Sequence, residues 1–205
     1  LSDEQVVFLT DILATGYEVG VLMGQVAPGD TSVIVGVGPV GLATVLTAQL
    51  FAPTNIVVVD LVESRLKKAL ELGATHAVTP DKAHDIVNTL TDGLGADVTI
   101  EAAGFPAPFE LAADLVRSGG RIANIGVHEE PATLHLEKLW AKQVTITTGI
   151  PSALSVPQLM KAIESGTLDG TTMISHRMPL AETVEGYDVF KNAATTNALK
   201  VVLIA

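Results

Sequence analysis

Three glycines and one aspartate in this chain have the residue types and the spacing that a dinucleotide-binding turn requires. Gly36, Gly38 and Gly41 follow the apolar run 32–35, and the next apolar run ends at Asp60, nineteen positions after Gly41. Glycines in this spacing after a strand let the backbone approach a pyrophosphate, and the acidic residue that follows accepts hydrogen bonds from ribose hydroxyls. The pattern therefore predicts that the chain binds a dinucleotide.

Each residue of this turn has its own predicted role. Gly36 allows a tight turn, Gly38 leaves room for the pyrophosphate, and Gly41 lets the following helix pack closely. Pro39 and Val40 stand where that helix begins, and its N-terminus offers free N–H groups and a positive dipole end to phosphates. A glycine-rich turn without a ligand is the alternative interpretation. The order of strand, glycines, helix, strand and acid favours a dinucleotide site over this alternative. Asp60 favours NAD over NADP, because its charge would repel the 2′-phosphate of NADP.

The composition excludes several classes of function. The 205 residues include 23 acidic and 12 basic side chains, which gives a net charge of −11, and no cluster of Lys or Arg is present. Nucleic-acid binding is disfavoured, because phosphate backbones require a basic surface. No apolar run is long enough to span a membrane, no cysteine can form a disulfide, and the acidic start is unlike a signal peptide. These features predict a cytoplasmic protein without membrane or nucleic-acid partners.

The chain alternates between apolar runs typical of buried strands and segments that favour helices. Strands are predicted at 31–36, 56–60, 76–79, 97–101, 121–126 and 144–148, and helices at 40–52, 63–72, 81–91, 107–117 and 136–142. This alternation predicts an α/β fold in which helices cover both faces of a parallel sheet. Together with the glycine turn after the first strand, it predicts a doubly wound Rossmann sheet of strand order 3-2-1-4-5-6.

The segments on either side of this alternation follow other patterns. Residues 1–30 are predicted to be helical, with a capping box at the start and an interruption at Gly16. Residues 151–205 are predicted to contain two helices, the first of them capped by Ser155, and two strands. We therefore divide the chain into a helical segment, a dinucleotide-binding domain at 31–150, and a C-terminal segment that completes the cofactor domain and partly belongs to another domain.

A series of short motifs extends from residue 15 to the last predicted strand. Besides the glycine turn, the motifs are Thr15-Gly16-Tyr17, Pro28-Gly29-Asp30, Leu72-Gly73-Ala74, Glu101 with Gly104, Gly119-Gly120-Arg121, His176 to Leu180, and Lys200 to Leu203. In this order they resemble the medium-chain, zinc-dependent alcohol dehydrogenases. That family also has a separate N-terminal catalytic domain with most of the zinc ligands. The resemblance therefore implies that this chain is the cofactor domain with the segment that follows it.

The resemblance also implies roles for residues outside the glycine turn. Asp11 stands at a position that can supply a ligand to the catalytic zinc of the intact enzyme, and Thr15 matches a position on the nicotinamide side. Arg65 matches a basic residue beside the adenosine ribose, and Lys200 matches a basic position near the pyrophosphate. Ala103 matches the family's loop after the fourth strand. The loop after the fifth strand is represented by Ile125, Gly126 and Val127. Catalytic residues are not predicted from this chain.

The histidines do not add a metal site to this interpretation. His76, His84, His128, His135 and His176 have no metal-type spacing with one another, and the chain has no cysteine. Each is interpreted as an exposed or hydrogen-bonded residue. No nucleophile or phosphate-loop motif of another enzyme class is present.

Three functions are compatible with these features. The leading hypothesis is the NAD-binding part of a zinc-type alcohol dehydrogenase, in which a hydride passes between nicotinamide and a small alcohol, aldehyde or ketone. The chain by itself is expected to be inactive. One alternative is a zinc-free medium-chain NAD(P)H reductase of the quinone reductase type, which Asp11 and Asp60 disfavour. The other is a non-catalytic dinucleotide-binding domain, which Asp11 and Thr15 disfavour.

The sixth predicted strand, 144–148, also predicts an association between chains. It contains β-branched residues throughout and no charge, and it should lie at an edge of the sheet. An edge of this kind invites pairing with the same strand of a second copy across a two-fold axis. The resemblance implies the same contact, so a homodimer is predicted.

Overall fold

The computed structural model describes residues 1–205, which form two parallel sheets and ten α-helices. The strands are β1 (Thr31–Val35), β2 (Asn55–Val59), β3 (His76–Val78), β4 (Ala96–Glu101), β5 (Val116–Asn124), β6 (Thr145–Thr148), β7 (Ile174–Pro179) and β8 (Lys200–Ile204). The helices are α1 (Asp3–Val6), α2 (Ile12–Thr15), α3 (Pro39–Ala48), α4 (Glu63–Glu71), α5 (Pro80–Leu90), α6 (Pro106–Leu115), α7 (Leu136–Leu139), α8 (Val156–Glu164), α9 (Thr183–Lys191) and α10 (Ala193–Thr196).

The larger sheet confirms the predicted architecture and strand order. Its six strands lie in the order β3-β2-β1-β4-β5-β6, and all neighbours pair in parallel. The chain moves outward from β1 to β3 and then crosses to β4 on the other side of β1. In doubly wound sheets, ligands bind beyond the carboxyl ends of the strands at this change of direction. The turn after β1 and the loop after β4 therefore face one crevice.

The central strands are buried on both faces, which explains their continuous apolar sequences. All five residues of β1 are buried. Val33 and Val35 pack with Val57 and Val59 on one face of the sheet. Ile34 points to the opposite face, where it joins the larger hydrophobic cluster. Alternate side chains of a strand point to opposite faces, so a strand with helices on both sides requires apolar residues at every position.

Proline and glycine mark several helix boundaries. Pro39, Pro80 and Pro106 stand in the first turns of α3, α5 and α6. Proline is favoured there because its missing N–H would have no partner within the helix. Gly73 follows α4 with φ +108°, a backbone conformation that favours glycine at the end of a helix. The predicted starts of α3, α4 and α5 agree with the observed starts within one residue because these signals are local.

The first helical region differs from the prediction at Gly16. The predicted capping box is present, since Ser2 N donates to Gln5 Oε1 at 2.8 Å and Gln5 N donates to Ser2 Oγ at 3.3 Å. The helix breaks at Asp11, where φ is −149° and ψ is −83°, and then continues through Gly16 as a π-helix, Gly16–Leu22. The predicted interruption at Gly16 is therefore wrong. A Cβ there would lie 2.8 Å from Thr44 N of α3, so glycine serves close helix packing.

The boundary between α6 and β5 also differs from the prediction. Helix α6 ends at Leu115, and β5 begins at the next residue, Val116, so no separate turn lies between them. Gly119 and Gly120 lie within the strand, where the pairing of β4 with β5 shifts register. The prediction that the helix ends at these two glycines is therefore wrong, because the glycines lie in an irregular part of β5 and not in a turn before it.

The C-terminal segment packs on the rest of the chain through α8 and forms the small sheet of β7 and β8. Leu159 and Ile163 of α8 are buried. Ser155 precedes α8 as predicted, but its side chain does not cap the helix. Its hydroxyl instead donates to Glu18 Oε1 of the π-helix at 2.5 Å. The capping prediction is wrong because the partner of Ser155 comes from a distant part of the chain.

The α-helices are short, and the longest, α5, has 11 residues. No single helix has the length and hydropathy needed to cross a membrane. Residues 3–10 and 12–22 satisfy those two criteria only when they are taken together, and they meet at a bend of 52°.

Candidate dinucleotide site

The turn between β1 and α3 leaves open space at only one of its three glycines. Gly36 has φ +91°, and a Cβ there would lie 2.7 Å from the Cβ of Ala103. A Cβ on Gly41 would overlap the carbonyl oxygen of Gly36. No heavy atom lies within 4 Å of the Cβ position of Gly38. Two glycines thus allow close packing of the protein on itself, and the third leaves room beside the backbone.

The space beside Gly38 lies at the N-terminus of a helix. Gly38 is the N-cap residue of α3, and Pro39 and Val40 form its first turn. The first hydrogen bond of the helix runs from Leu42 N to Gly38 O at 2.9 Å. The N–H groups of Val40 and Gly41 precede this bond and have no acceptor within the helix. They and the helix dipole favour an anion at this position.

Asp60 lies directly beside the glycine turn. Its side chain is only 8% exposed, Oδ2 accepts a hydrogen bond from Val37 N at 2.8 Å, and Oδ1 accepts one from Val62 N at 2.9 Å. Arg65 Nη1 stands 4.0 Å from Oδ2. The carboxylate therefore joins the glycine turn to the start of α4, and both of its oxygens can still accept a further hydrogen bond.

The loops after β4 and β5 pack against one another on the other side of the crevice. Ala103, in the first loop, lies against Gly36 of the glycine turn. A Cβ on Gly104 would lie 2.5 Å from Val127 O, so the second loop also approaches closely. In the second loop, Ile125 N donates to the carbonyl oxygen of Glu101 at 2.8 Å. The fold thus brings together the predicted residues of the glycine turn and of both loops.

Glu101 connects these two loops, and the sequence did not single it out as part of a site. The residue is completely buried, and its Oε1 accepts hydrogen bonds from Ala103 N and Gly104 N, both at 2.7 Å. Its Oε2 lies 3.3 Å from His128 Nε2. The spacing of Glu101 and Gly104 was a local signal for a structured loop after β4. His128 lies in the loop after a different strand, β5, and no local pattern connected it with Glu101.

Asp11 and Lys200, which the resemblance placed at different subsites, lie close to one another. Both line a surface cavity of about 390 Å³. Burial lowers the pKa of the Lys200 ammonium group, and attraction to the Asp11 carboxylate opposes this effect. Thr15 Oγ1 donates to Asp11 Oδ1 at 3.2 Å. The arrangement joins the start of α2 to the start of β8.

The residues of this chain do not form a zinc site by themselves. No group of three or more His, Cys, Asp or Glu side chains is arranged to hold a metal ion. Zinc requires about four ligands, and Asp11 supplies one carboxylate. A dinucleotide, in contrast, fits the residues present, because the open position at Gly38 suits a phosphate and Asp60 offers acceptors to hydroxyl groups.

Several known proteins with related sequences are dehydrogenases. The family model of zinc-binding dehydrogenases matches residues 39–165. An alcohol dehydrogenase of Cupriavidus necator is 33% identical over 199 residues, which are 94% of this chain and 54% of that protein. L-threonine 3-dehydrogenase of Bacillus subtilis is 33% identical over 177 residues, 84% of this chain and 51% of that protein. The chain thus spans about half the length of the curated relatives that it matches.

Solved structures agree with these sequence matches. Zinc-dependent alcohol dehydrogenase 2 from Streptococcus pneumonia, in its apo form, superposes with a TM-score of 0.94 and 44% identity over 100% of this chain and 60% of that one. Alcohol dehydrogenase TADH from Thermus sp. ATN1 superposes with a TM-score of 0.93 and 33% identity over 100% of this chain and 59% of that one. Taken with the geometry of the crevice, these matches show that the chain belongs to the zinc-binding dehydrogenases, the family of the zinc-type alcohol dehydrogenases.

Proposed function

We propose that this chain is the NAD-binding part of a zinc-type alcohol dehydrogenase, acting in hydride transfer between nicotinamide and an alcohol, aldehyde or ketone. The observation that carries the proposal is the position of Asp60, a nearly buried carboxylate that touches the glycine turn through Val37 N. When bound, NAD supplies the carbon that accepts or gives the hydride. The chain supplies the binding and orientation of the dinucleotide.

The pyrophosphate would lie beside Gly38, at the N-terminus of α3. The space at the Cβ position of Gly38 lets a phosphate approach the backbone. The free N–H groups of Val40 and Gly41 would donate to phosphate oxygens, and the positive end of the helix dipole favours their charge. Lys200 is the basic residue proposed near the pyrophosphate.

The adenosine ribose would bind Asp60. The two carboxylate oxygens already accept hydrogen bonds from Val37 N and Val62 N, which hold them in place. Each oxygen has a lone pair for a second donor, so the 2′- and 3′-hydroxyls of the ribose would be bound together. A 2′-phosphate at the same place would bring negative charge against the carboxylate, and Arg65 at 4.0 Å offsets only part of it.

The nicotinamide would lie in the other half of the crevice. A doubly wound sheet binds one nucleotide in each half, and Asp60 occupies the half formed by β1 to β3. Ala103 and the loop 125–127 follow β4 and β5 in the second half, and Thr15 is proposed on the same side. Asp11 is proposed as one ligand of the zinc, with the remaining ligands supplied from outside these residues.

We test the cofactor preference with Asp60. NADH and NADPH are titrated against the wild-type chain by the change in nicotinamide fluorescence. We expect NADH to bind about tenfold to a hundredfold more tightly, the range for one or two hydrogen bonds to a charged group. Replacing Asp60→Ala should remove most of this preference, whereas Glu63→Gln, on the exposed first turn of α4, should preserve it. Equal or tighter binding of NADPH by the wild type would contradict the proposal.

A homodimer through β6 is also proposed. Strand β6 pairs with β5 on one side only, so its other edge has unpaired N–H and C=O groups. Ile146 of this strand is 37% exposed, and Ile150 and Leu154 just beyond it are highly exposed. Pairing with the same strand of a second chain would satisfy the free edge and cover part of this apolar surface.

A further inference from the structure

Glu101, Asn124 and His128 form a polar cluster, with Glu101 buried and the other two partly buried, that the proposed dinucleotide contacts do not use. The cluster lies where β4 and β5 end, beneath the loops of the nicotinamide half. Glu101 is completely buried, and its one ionisable partner is His128, at 3.3 Å. A buried carboxylate without a cation requires hydrogen-bond donors in fixed positions. Two backbone N–H groups, from Ala103 and Gly104, and the imidazole of His128 meet that requirement.

The surroundings of His128 fix the orientation of its ring. Nε2 lies 3.3 Å from Glu101 Oε2 and 3.0 Å from Asn124 Oδ1, so it faces two acceptors and must carry a proton. The ring packs edge-on against Phe109, with the ring centres 6.1 Å apart. Nδ1 is buried and has no hydrogen-bond partner. The ring is thus held through Nε2, and the side chain as a whole is only 18% exposed.

The same cluster determines where the loop after β5 lies. Asn124 Nδ2 donates to Gly126 O at 3.0 Å, and the backbone N–H groups of Ile125 and Gly126 donate to the carbonyl oxygen of Glu101. A Cβ on Gly126 would overlap the Glu101 carboxylate, so the loop touches the side chain that His128 holds. A shift of the Glu101 carboxylate would therefore move Gly126. Loss of the Asn124 amide would remove the hydrogen bond to the carbonyl oxygen of Gly126.

We propose that His128 is a positioning residue for the nicotinamide half of the dinucleotide. It acts through Glu101 and Asn124, which hold the loop 125–127 in the conformation that receives the nicotinamide, and it does not touch the cofactor itself. This inference rests on the proposed function, because it assigns a task to the second half of the same site. The adenosine half, with Asp60 at the end of β2, lies on the other side of β1 and should be independent of it.

The test compares two nearly isosteric replacements of His128 with two probes. His128→Gln keeps an N–H donor near the position of Nε2, and His128→Met removes it. NADH probes both halves of the site, whereas ADP-ribose, which lacks nicotinamide, probes only the adenosine and pyrophosphate half. We expect His128→Met to bind NADH about tenfold more weakly, the effect of losing one hydrogen bond to a carboxylate, and to bind ADP-ribose as the wild type does. His128→Gln should restore NADH binding.

The control is His135→Leu, which removes another histidine beside a carboxylate. His135 Nδ1 lies 2.7 Å from Glu137 Oε1, but this pair is more exposed and lies at the start of α7. This variant should bind both probes as the wild type does. If His128→Met fails to fold, Asn124→Leu tests the same link, because it removes the donor to Gly126 O and should give the same selective loss of NADH.

Two results would overturn the inference without affecting the proposed function. One is a His128→Met variant that binds NADH as tightly as the wild type. The other is an equal loss of NADH and ADP-ribose, which would show a general structural role. If the wild type binds neither probe, the proposed function is wrong and the role of His128 is wrong with it. A selective loss of NADH, restored by glutamine, would establish the positioning role.

Discussion

Glu18 shows how one buried carboxylate can hold two distant parts of this chain together. The residue lies in the π-helix and is 8% exposed. Its Oε2 accepts hydrogen bonds from Ser152 N, Ser152 Oγ and Ala153 N, and its Oε1 accepts from Ser155 N and Ser155 Oγ, at distances between 2.5 and 3.2 Å. Five donors and no cation surround the charge. Glu18 therefore fixes the turn before α8 against the first helical region.

The pKa of Glu18 makes this contact dependent on pH. Burial alone would raise the pKa, but the hydrogen bonds from Ser155 and Ser152 outweigh burial and lower it from 4.5 to about 2. A carboxyl group whose pKa is lower in the folded state than in the unfolded state stabilises the fold at pH values above its unfolded pKa. That contribution, about 3 kcal/mol at neutral pH, is lost as the pH falls from 4.5 towards 2.

We expect Glu18→Gln to lower the free energy of unfolding by about 2–3 kcal/mol at pH 7 and by much less at pH 3. Urea unfolding followed by circular dichroism at the two pH values measures both numbers. Glu164→Gln, a replacement on the exposed end of α8, serves as the control and should change neither. A Glu18→Gln variant that loses stability with acid as steeply as the wild type would contradict this account.

At the scale of single residues, the sequence predicted what depends on near neighbours. Asp60 lies beside the glycine turn, because a strand, a glycine turn and the next strand meet at one edge in every sheet of this type, and its role toward the ribose stays a prediction. Glu18 and His128 were missed as organising residues, because their partners come from other elements. The sequence around a carboxylate in a helical segment does not show whether that side chain is buried against serines or exposed to solvent.

At the scale of elements, glycine sets how closely the first helical region approaches α3. A Cβ on Gly16 would lie 2.8 Å from Thr44 N, and one on Gly20 would lie 3.1 Å from the Cγ2 of Thr44. The contact at Gly16 involves backbone, which cannot move aside as the end of a flexible side chain can. The sequence showed the glycines but not the helix against which they pack, so Gly16 was interpreted as a break.

Gly16→Ala should destabilise the chain even though alanine is the better helix former. Alanine gains about 1 kcal/mol of helix propensity over glycine, but the added methyl group would be forced against the backbone of Thr44 and Ala43. Overpacking of this kind costs about 1–3 kcal/mol or more, so we expect a net loss in urea unfolding. An unchanged or higher stability would show that α3 can move away at little cost.

Gly38→Ala should have the opposite effects, with the fold kept and dinucleotide binding weakened. Gly38 has φ −66° and ψ −172°, which alanine adopts without strain, and nothing lies within 4 Å of the added methyl group. The stability should be unchanged or rise by up to about 1 kcal/mol, because alanine restricts the unfolded chain. The methyl group would occupy the space proposed for the pyrophosphate, so NADH should bind at least about tenfold more weakly.

Fluorescence titration of NADH and urea unfolding, measured on the same Gly38→Ala preparation, separate these two effects. Gly29→Ala is not a suitable control, because Gly29 has φ +92° and alanine would be strained there. Glu63→Gln serves instead, because its exposed side chain lies in the first turn of α4, away from Gly38 in sequence, and should change neither quantity. Undiminished NADH affinity in Gly38→Ala would place the pyrophosphate elsewhere.

At the scale of the whole molecule, the two ends of the large sheet have different tasks. The carboxyl ends of the strands carry the proposed dinucleotide site. At the amino ends, Arg121 Nη2 lies 3.0 Å from Asp30 Oδ2, and Arg117 Nε lies 2.7 Å from Asp97 Oδ1. These pairs join the region before β1 to β5 and the start of β4 to β5. The proposed binding residues and these two ion pairs are thus separated by the length of the strands.

The predicted dimer belongs to this scale, because it depends on the position of β6 in the sheet. Ile146→Lys would place a charge in the middle of the free edge and should shift the chain from dimer to monomer in sedimentation at micromolar concentration. Leu94→Lys, on a highly exposed residue after α5, should leave the dimer unchanged. A wild type that sediments as a monomer, or an Ile146→Lys variant that remains a dimer, would contradict edge pairing.

The π-helical winding of Gly16–Leu22 also sets how many residues this part of the chain must have. Met23 N donates to Glu18 O and Val26 N donates to Val21 O, each five residues earlier, so every turn here holds more residues than an α-helical turn. Deleting one residue would let the segment rewind as an α-helix and would rotate everything after the deletion by about 100°. Gly20 and Gly24 would then turn away from α3 and β5. Insertions and deletions should therefore be much rarer in this segment among homologous sequences than in the loop 129–135, most of whose residues are exposed.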